Sequence, residues 1–248
     1  MTGETIDDVI HDLTAIIDEC REMDSRLGYF PAMYRKVTAQ IKEGVENGRF
    51  EDGPRMIQLD VVFAQRYIDA YRQYRQGKQP TRAWAYTFDR TQDPQPTVLQ
   101  HLLLGMNAHI NLDLGIAAAE VCRECEIVPL KNDFFAVNQV LAGLLDEVQD
   151  GVNQSSPLFQ MMDTLGGSAD EALGNLSIRR ARHAAWEKAL ALHAQPVAAR
   201  AALIERYDQA TSLLAKVICP PFYVVQRVTA VINQPDPPSP REIIDALA

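Results

Sequence analysis

The chain has 248 residues, of which 47% are hydrophobic and 23% charged, so it is long enough to bury a sizeable core. A formal net charge of −9 and the lack of a long basic run argue against nucleic acid and anionic membrane as partners. No uninterrupted apolar run approaches the roughly 20 residues that span a bilayer, and the acidic start lacks a signal peptide's basic and apolar regions, so a cytoplasmic setting is expected.

Taken in order, the chain reads as helices joined by turns. Thr5 and Asp8 form a capping box before a stripe of Ile6, Val9, Ile10, Leu13, Ile17 and Cys20. Pro31 suits the first turn of a second helix, which stops at Asn47-Gly48. After the Asp52-Gly53-Pro54 turn, a third helix is expected over 55–75. Its apolar face, Met56, Leu59, Phe63, Tyr67 and Tyr74, also carries Asp60, a candidate buried carboxylate with Arg66 and Tyr67 close by. Residues 77–96 read as a polar connection whose aromatic piece, Trp84, Tyr86 and Phe88, covers one end of a bundle.

The central helix is expected over about 97–125. It is rich in leucine and alanine yet carries His101, Asn107, His109, Asn111 and Asp113. Between Asn107 and Leu114 polar and apolar residues alternate, as in a half-buried strand; the absence of a turn signal and the following Ala117-Ala118-Ala119 favour helix. On a helix His109 and Asp113 lie one turn apart and can meet one partner, whereas His101 and His109 are about 12 Å apart along the axis.

Beyond it, Asn132 or Asp133 is expected to cap a helix with Phe134, Val137, Val140, Leu141, Leu144 and Leu145 inside. A short piece is expected over 157–165, and a long helix over 168–193 with Leu176, Arg179, His183, Trp186 and Leu190 on one face. Without a metal, Asp60 and Asp113 need cationic or donor partners, and Arg66 and Arg179 are the best placed. A helix starting at Pro196, a break at Cys219-Pro220-Pro221 and an apolar helix over 222–232 complete the body. The expected fold is all-α, an irregular multi-helix bundle around the central helix. Residues 1–233 form one domain, and 234–248 a proline-rich linker with a short helix capped by Ser239 and Glu242. Of four cysteines, Cys122 and Cys125 form a CxxC near a helix end with no second pair to complete a zinc site, so reduced thiols are expected.

Two spacings carry chemistry. His109-x-x-x-Asp113 and His183-x-x-x-Glu187 each present a nitrogen and an oxygen one helical turn apart, a donor set suited to zinc, manganese or iron. The 104–113 segment, Leu-Gly-Met-Asn-Ala-His-Ile-Asn-Leu-Asp, resembles the LGxxxHxxxD helix of the zinc phospholipase C and S1/P1 nuclease families. That resemblance implies Asp60, His109, Asp113, His183 and Glu187 as metal ligands, although those families' further histidines are missing. The segments 59–70, LDVVFAQRYIDA, and 100–114, QHLLLGMNAHINLDL, resemble an uncharacterised, mainly bacterial all-helical family known only as a domain of unknown function. That resemblance implies no activity.

Two readings follow. In one, the protein is a metal-dependent hydrolase of phosphoesters or other esters. Asp60, His109 and Asp113 are catalytic, and Arg66, Tyr67, His101, Asn107, Asn111 and Arg179 contact the substrate. In the other, it is a non-catalytic helical protein whose interior polar network is structural or lines a pocket for an apolar small molecule.

Overall fold

The computed structural model describes residues 5–151, 168–220 and 238–248. Helix α1 (Ile6–Glu22) starts at the Thr5 capping box, with Thr5 Oγ1 accepting from Asp8 N at 3.2 Å and Asp8 Oδ2 from Thr5 N at 2.8 Å. A 3₁₀ turn (Arg26–Gly28) leads into α2 (Tyr29–Glu46), which carries Pro31 in its first turn and ends before Gly48, at φ +66°. Asp52 caps α3 (Gly53–Arg75) by accepting from Arg55 N. There follow α4 (Arg82–Arg90), α5 (Val98–Ala108), a π turn (His109–Asp113), α6 (Leu114–Val121), α7 (Lys131–Gly151), α8 (Ser168–His193), α9 (Val197–Ile218) and α10 (Pro240–Leu247). No strand occurs among the described residues, and the fold is all-α.

The central rod, α5, π turn and α6, touches most of the other helices. Its first half packs on α2, α4 and α9, and its second on α3 and α8. One core gathers Leu13, Ile17, Ile68, Trp84, Leu112 and Ile116; another gathers Met56, Leu59, Ala117, Leu130, Phe134 and Trp186. Two glycines set how closely the rod is approached. A Cβ on Gly105 would lie 2.3 Å from the Phe30 ring, and one on Gly115 would lie 2.7 Å from the Ala185 carbonyl oxygen. Helix α10 starts at the Ser239–Glu242 capping box and buries Ile244 and Leu247 against α1 and α2.

Several expectations need correcting. The 77–96 stretch contains a helix, α4, whose Trp84 and Phe88 lie in the core, not over its end. Helix α7 already begins at Lys131, ahead of the expected caps Asn132 and Asp133; Asp133 accepts from the Glu51 and Asp52 backbone N–H groups at 2.7 and 2.8 Å and so ties α7 to the turn before α3. On α8 the buried side is Arg182, Ala185, Trp186, Ala189 and Leu192, while Arg179 and His183 are exposed. Small alanines meet Gly115 there, and a pattern of large residues could not show that face. Read through the π turn, Val98–Val121 is 24 residues with a mean hydropathy of 1.3 over its most apolar window, long and apolar enough to cross a membrane, but 78% of that window is buried inside the protein. The pieces expected over 157–165 and 222–232, and the side chain of Leu176, lie outside the described residues.

Candidate functional site

The site begins with the π turn. Leu114 N–H bonds back five residues to the His109 carbonyl, so one extra residue is accommodated in the turn. This widening explains the competing periodicities of the sequence. The Asn111 carbonyl in the turn accepts from Lys188 Nζ of α8 and, at 3.5 Å, from Thr211 Oγ1 of α9. Asn107 Nδ2 donates to the Thr211 carbonyl at 3.0 Å, and Asn111 Nδ2 donates to Asn107 Oδ1 at 3.1 Å. Both asparagines thus fasten the rod to α9.

Asp113 is 1% exposed and fully engaged. Its Oδ1 accepts from Arg66 Nε at 2.9 Å and its Oδ2 from Trp84 Nε1 at 2.7 Å. Burial pushes this carboxyl up, but Arg66, followed by His109 and Trp84, outweighs it and holds the group below the ordinary carboxylate value. Arg66 is therefore the counter-charge expected from sequence. Arg179 is exposed and is not among Asp113's partners.

His109 sits in an aromatic cage. Its ring stacks on Phe63, with centroids 3.5 Å apart and planes at 11°, and meets Tyr34 at 4.3 Å, Phe30 at 5.5 Å and Trp84 at 6.2 Å. Its Nδ1 is 3.9 Å from Asp113 Oδ2, beyond hydrogen-bond reach, and neither ring nitrogen has a hydrogen-bond partner. Burial lowers its pKa despite the nearby carboxylate, so the imidazole is neutral at pH 7.

Asp60, 2% exposed, has no hydrogen-bond partner on either oxygen, and burial pushes it up to about 7. The hydroxyls of Tyr34, Thr38 and Tyr67 are also buried and unbonded. Tyr34 joins the two groups: it packs on His109, and after burial itself the Asp60 charge is the largest influence raising its phenol. Asp60 differs from the other buried acids among the described residues. Asp113 has Arg66 and Trp84, Asp133 has two backbone N–H groups, and Asp208 accepts from Arg82 N and Ala83 N at 2.8 and 2.9 Å.

Arg66, Asp113 and His109 thus lie side by side, Tyr34 links them to Tyr67 and to the Asp60 charge, and Asn107 and Asn111 lie on the α9 side of the rod. His101 lies beyond the Phe30–Trp84 wall, beside a separate small cavity. His183 and Glu187 are exposed on α8, where the His183 ring rests 4.5 Å from Phe135. The buried cation of α8 is Arg182, which donates to the Phe134 carbonyl and lies over the Phe134 ring. The five residues named as metal ligands do not converge, and Asp113's oxygens are both taken. Among the described residues no three His, Cys, Asp or Glu side chains are grouped to hold an ion. Sequence reasoning missed Trp84, Tyr34, Thr38 and Lys188 as parts of the site. Only Trp84 left a signal, since a buried indole N–H calls for an acceptor.

No curated protein and no solved structure matches the chain. A family model described as a family of unknown function, DUF5995, matches residues 6–221, which takes in the whole described site. The chain belongs to that family.

Proposed function

We propose that Asp60 and His109 form a buried acid–base centre for hydrolysis of an ester or phosphoester. The observation that carries this reading is Asp60 itself. This protein bonds its other described buried carboxylates, yet leaves this one unbonded and titrating at about 7, near the operating pH favoured for an acid–base catalyst. Neutral His109 would accept a proton from the attacking water, and protonated Asp60 would deliver one to the departing oxygen. Tyr34, Thr38 and Tyr67 would supply hydroxyls to the reacting group. Asp113, bonded to Arg66 and Trp84, would position the π turn. In this scheme the protein's own side chains carry both proton transfers.

The test uses 4-nitrophenyl acetate and 4-nitrophenyl phosphate with the wild type, Asp60→Asn and His109→Gln. Loss of one proton-transfer group should lower turnover about 10²–10⁴-fold in a variant that still melts cooperatively. A wild type inert on both probes, or variants as active as wild type, would overturn the reading. A second reading, a network that fixes helix register without catalysis, is favoured by the bonds made by Asp113, Asn107 and Asn111. It predicts inert wild-type protein and a marked loss of stability in His109→Gln.

A further inference from the structure

His101, 4% exposed, has no hydrogen-bond partner on either ring nitrogen. It lines a cavity of about 10 Å³, room for one oxygen atom, together with Arg26, Thr87, Thr91 and the rings of Tyr29, Phe30, Trp84 and Phe88. Burial, with Arg26 as the next cause, lowers the His101 pKa to about 4, so at pH 7 the ring is neutral and offers one N–H donor. The threonine hydroxyls are already donated: Thr87 to the Ala83 and Leu104 carbonyls, and Thr91 to the Phe88 carbonyl. Arg26 makes one long bond, 3.4 Å to the Thr91 carbonyl, and forms no ion pair among the described residues. Arg90 and Asp93, 3.5 Å apart, act on His101 with opposite signs, Asp93 the more strongly, so the positive field there comes from Arg26. An occupant therefore meets an unused imidazole N–H and, from Arg26, a guanidinium with no ion pair among the described residues.

We propose that this cavity is a recognition site for a small organic carboxylate. One carboxylate oxygen enters against the His101 N–H, and the other meets Arg26 at the rim. The site is separate from Asp60 and His109, since Phe30 and Trp84 stand between, and it does not rest on the hydrolase reading.

The experiment follows the histidine ring resonances by NMR during titration with sodium acetate, with sodium chloride holding ionic strength constant. His101 should shift saturably with one-to-one stoichiometry. In Arg26→Gln the apparent Kd should rise at least tenfold, and in Arg26→Lys by less. The shifting resonance should vanish in His101→Phe, while Asp60→Asn should bind acetate as wild type does. A His101 signal that stays still, moves without saturating, or saturates equally in Arg26→Gln and wild type would overturn the proposal and leave a water-sized hole of no recognition value. Should Arg26→Gln fail to fold, the Arg26→Lys and His101→Phe titrations decide the same question.

Discussion

Replacing Asp60 with asparagine should change stability relative to wild type by an amount that becomes more favourable as pH rises. The carboxyl moves from an ordinary 3.8 to about 7 on folding because burial disfavours its charge. Below pH 4 it is protonated in both states and contributes nothing. Between pH 4 and 7 the unfolded chain ionises while the folded one does not, so stability falls as pH rises; above 7 both are charged and the loss is complete. At 1.36 kcal/mol per pKa unit, the full difference is on the order of 4 kcal/mol. The wild-type curve alone conceals this. His101 and His109 have lowered pKa values, so their contributions are full above about 6.5 and are lost as pH falls, opposing Asp60 over the same window. Subtracting wild type from Asp60→Asn isolates the carboxyl, and any unmet need of the amide adds only a pH-independent offset. Urea unfolding at half-unit steps from pH 4 to 8.5 supplies the two curves. A difference that does not rise between pH 4 and 7 would refute the claim that Asp60 is uncompensated.

Other outcomes follow from the same geometry. Arg66→Ala leaves Asp113 buried with only the Trp84 N–H and should cost about 3–5 kcal/mol in denaturant unfolding, whereas exposed Arg179→Ala should leave the melting temperature within about a degree or two of wild type. Gly105→Ala drives a methyl group into the Phe30 ring and should destabilise by about 1–3 kcal/mol or more, read by thermal melting; an unchanged Tm would mean the rod is not held that tightly. Of the four thiols, exposed Cys125 should react with a disulfide reagent in native protein, while Cys20, Cys122 and Cys219 should wait for unfolding; burial, with Cys125 beside it, pushes Cys122 up to about 12. Rapid reaction of two thiols in native buffer would contradict that burial.

Much of the local structure was legible because it rests on short-range chemistry. The capping boxes at Thr5 and Ser239, the turn at Asp52-Gly53-Pro54 and the Asn47-Gly48 stop each stand where their side chains or backbone torsions place them. Asp60 and Arg66 were also visible, one from the apolar face it interrupts and the other from its nearness to that face. The π turn was not: its one added residue changes the register of 109–113, and the alternation that betrays it also fits a strand. Nor was the α8 contact face, because Ala185 and Ala189 against Gly115 make a close approach from residues with weak patterning. Trp84 reaches Asp113 across 29 positions, a pairing that only tertiary structure reveals.

The central claim is that the Asp60 carboxyl is held unbonded in the core, uncharged on the acid side of neutrality and able to exchange a proton near pH 7. Carbon-13 NMR of aspartate-labelled protein, with Asp60→Asn assigning the resonance, reads that titration directly. The account predicts a midpoint of about 7. A midpoint at or below the ordinary 3.8 would mean that Asp60 is paired as Asp113 is, and would contradict the account.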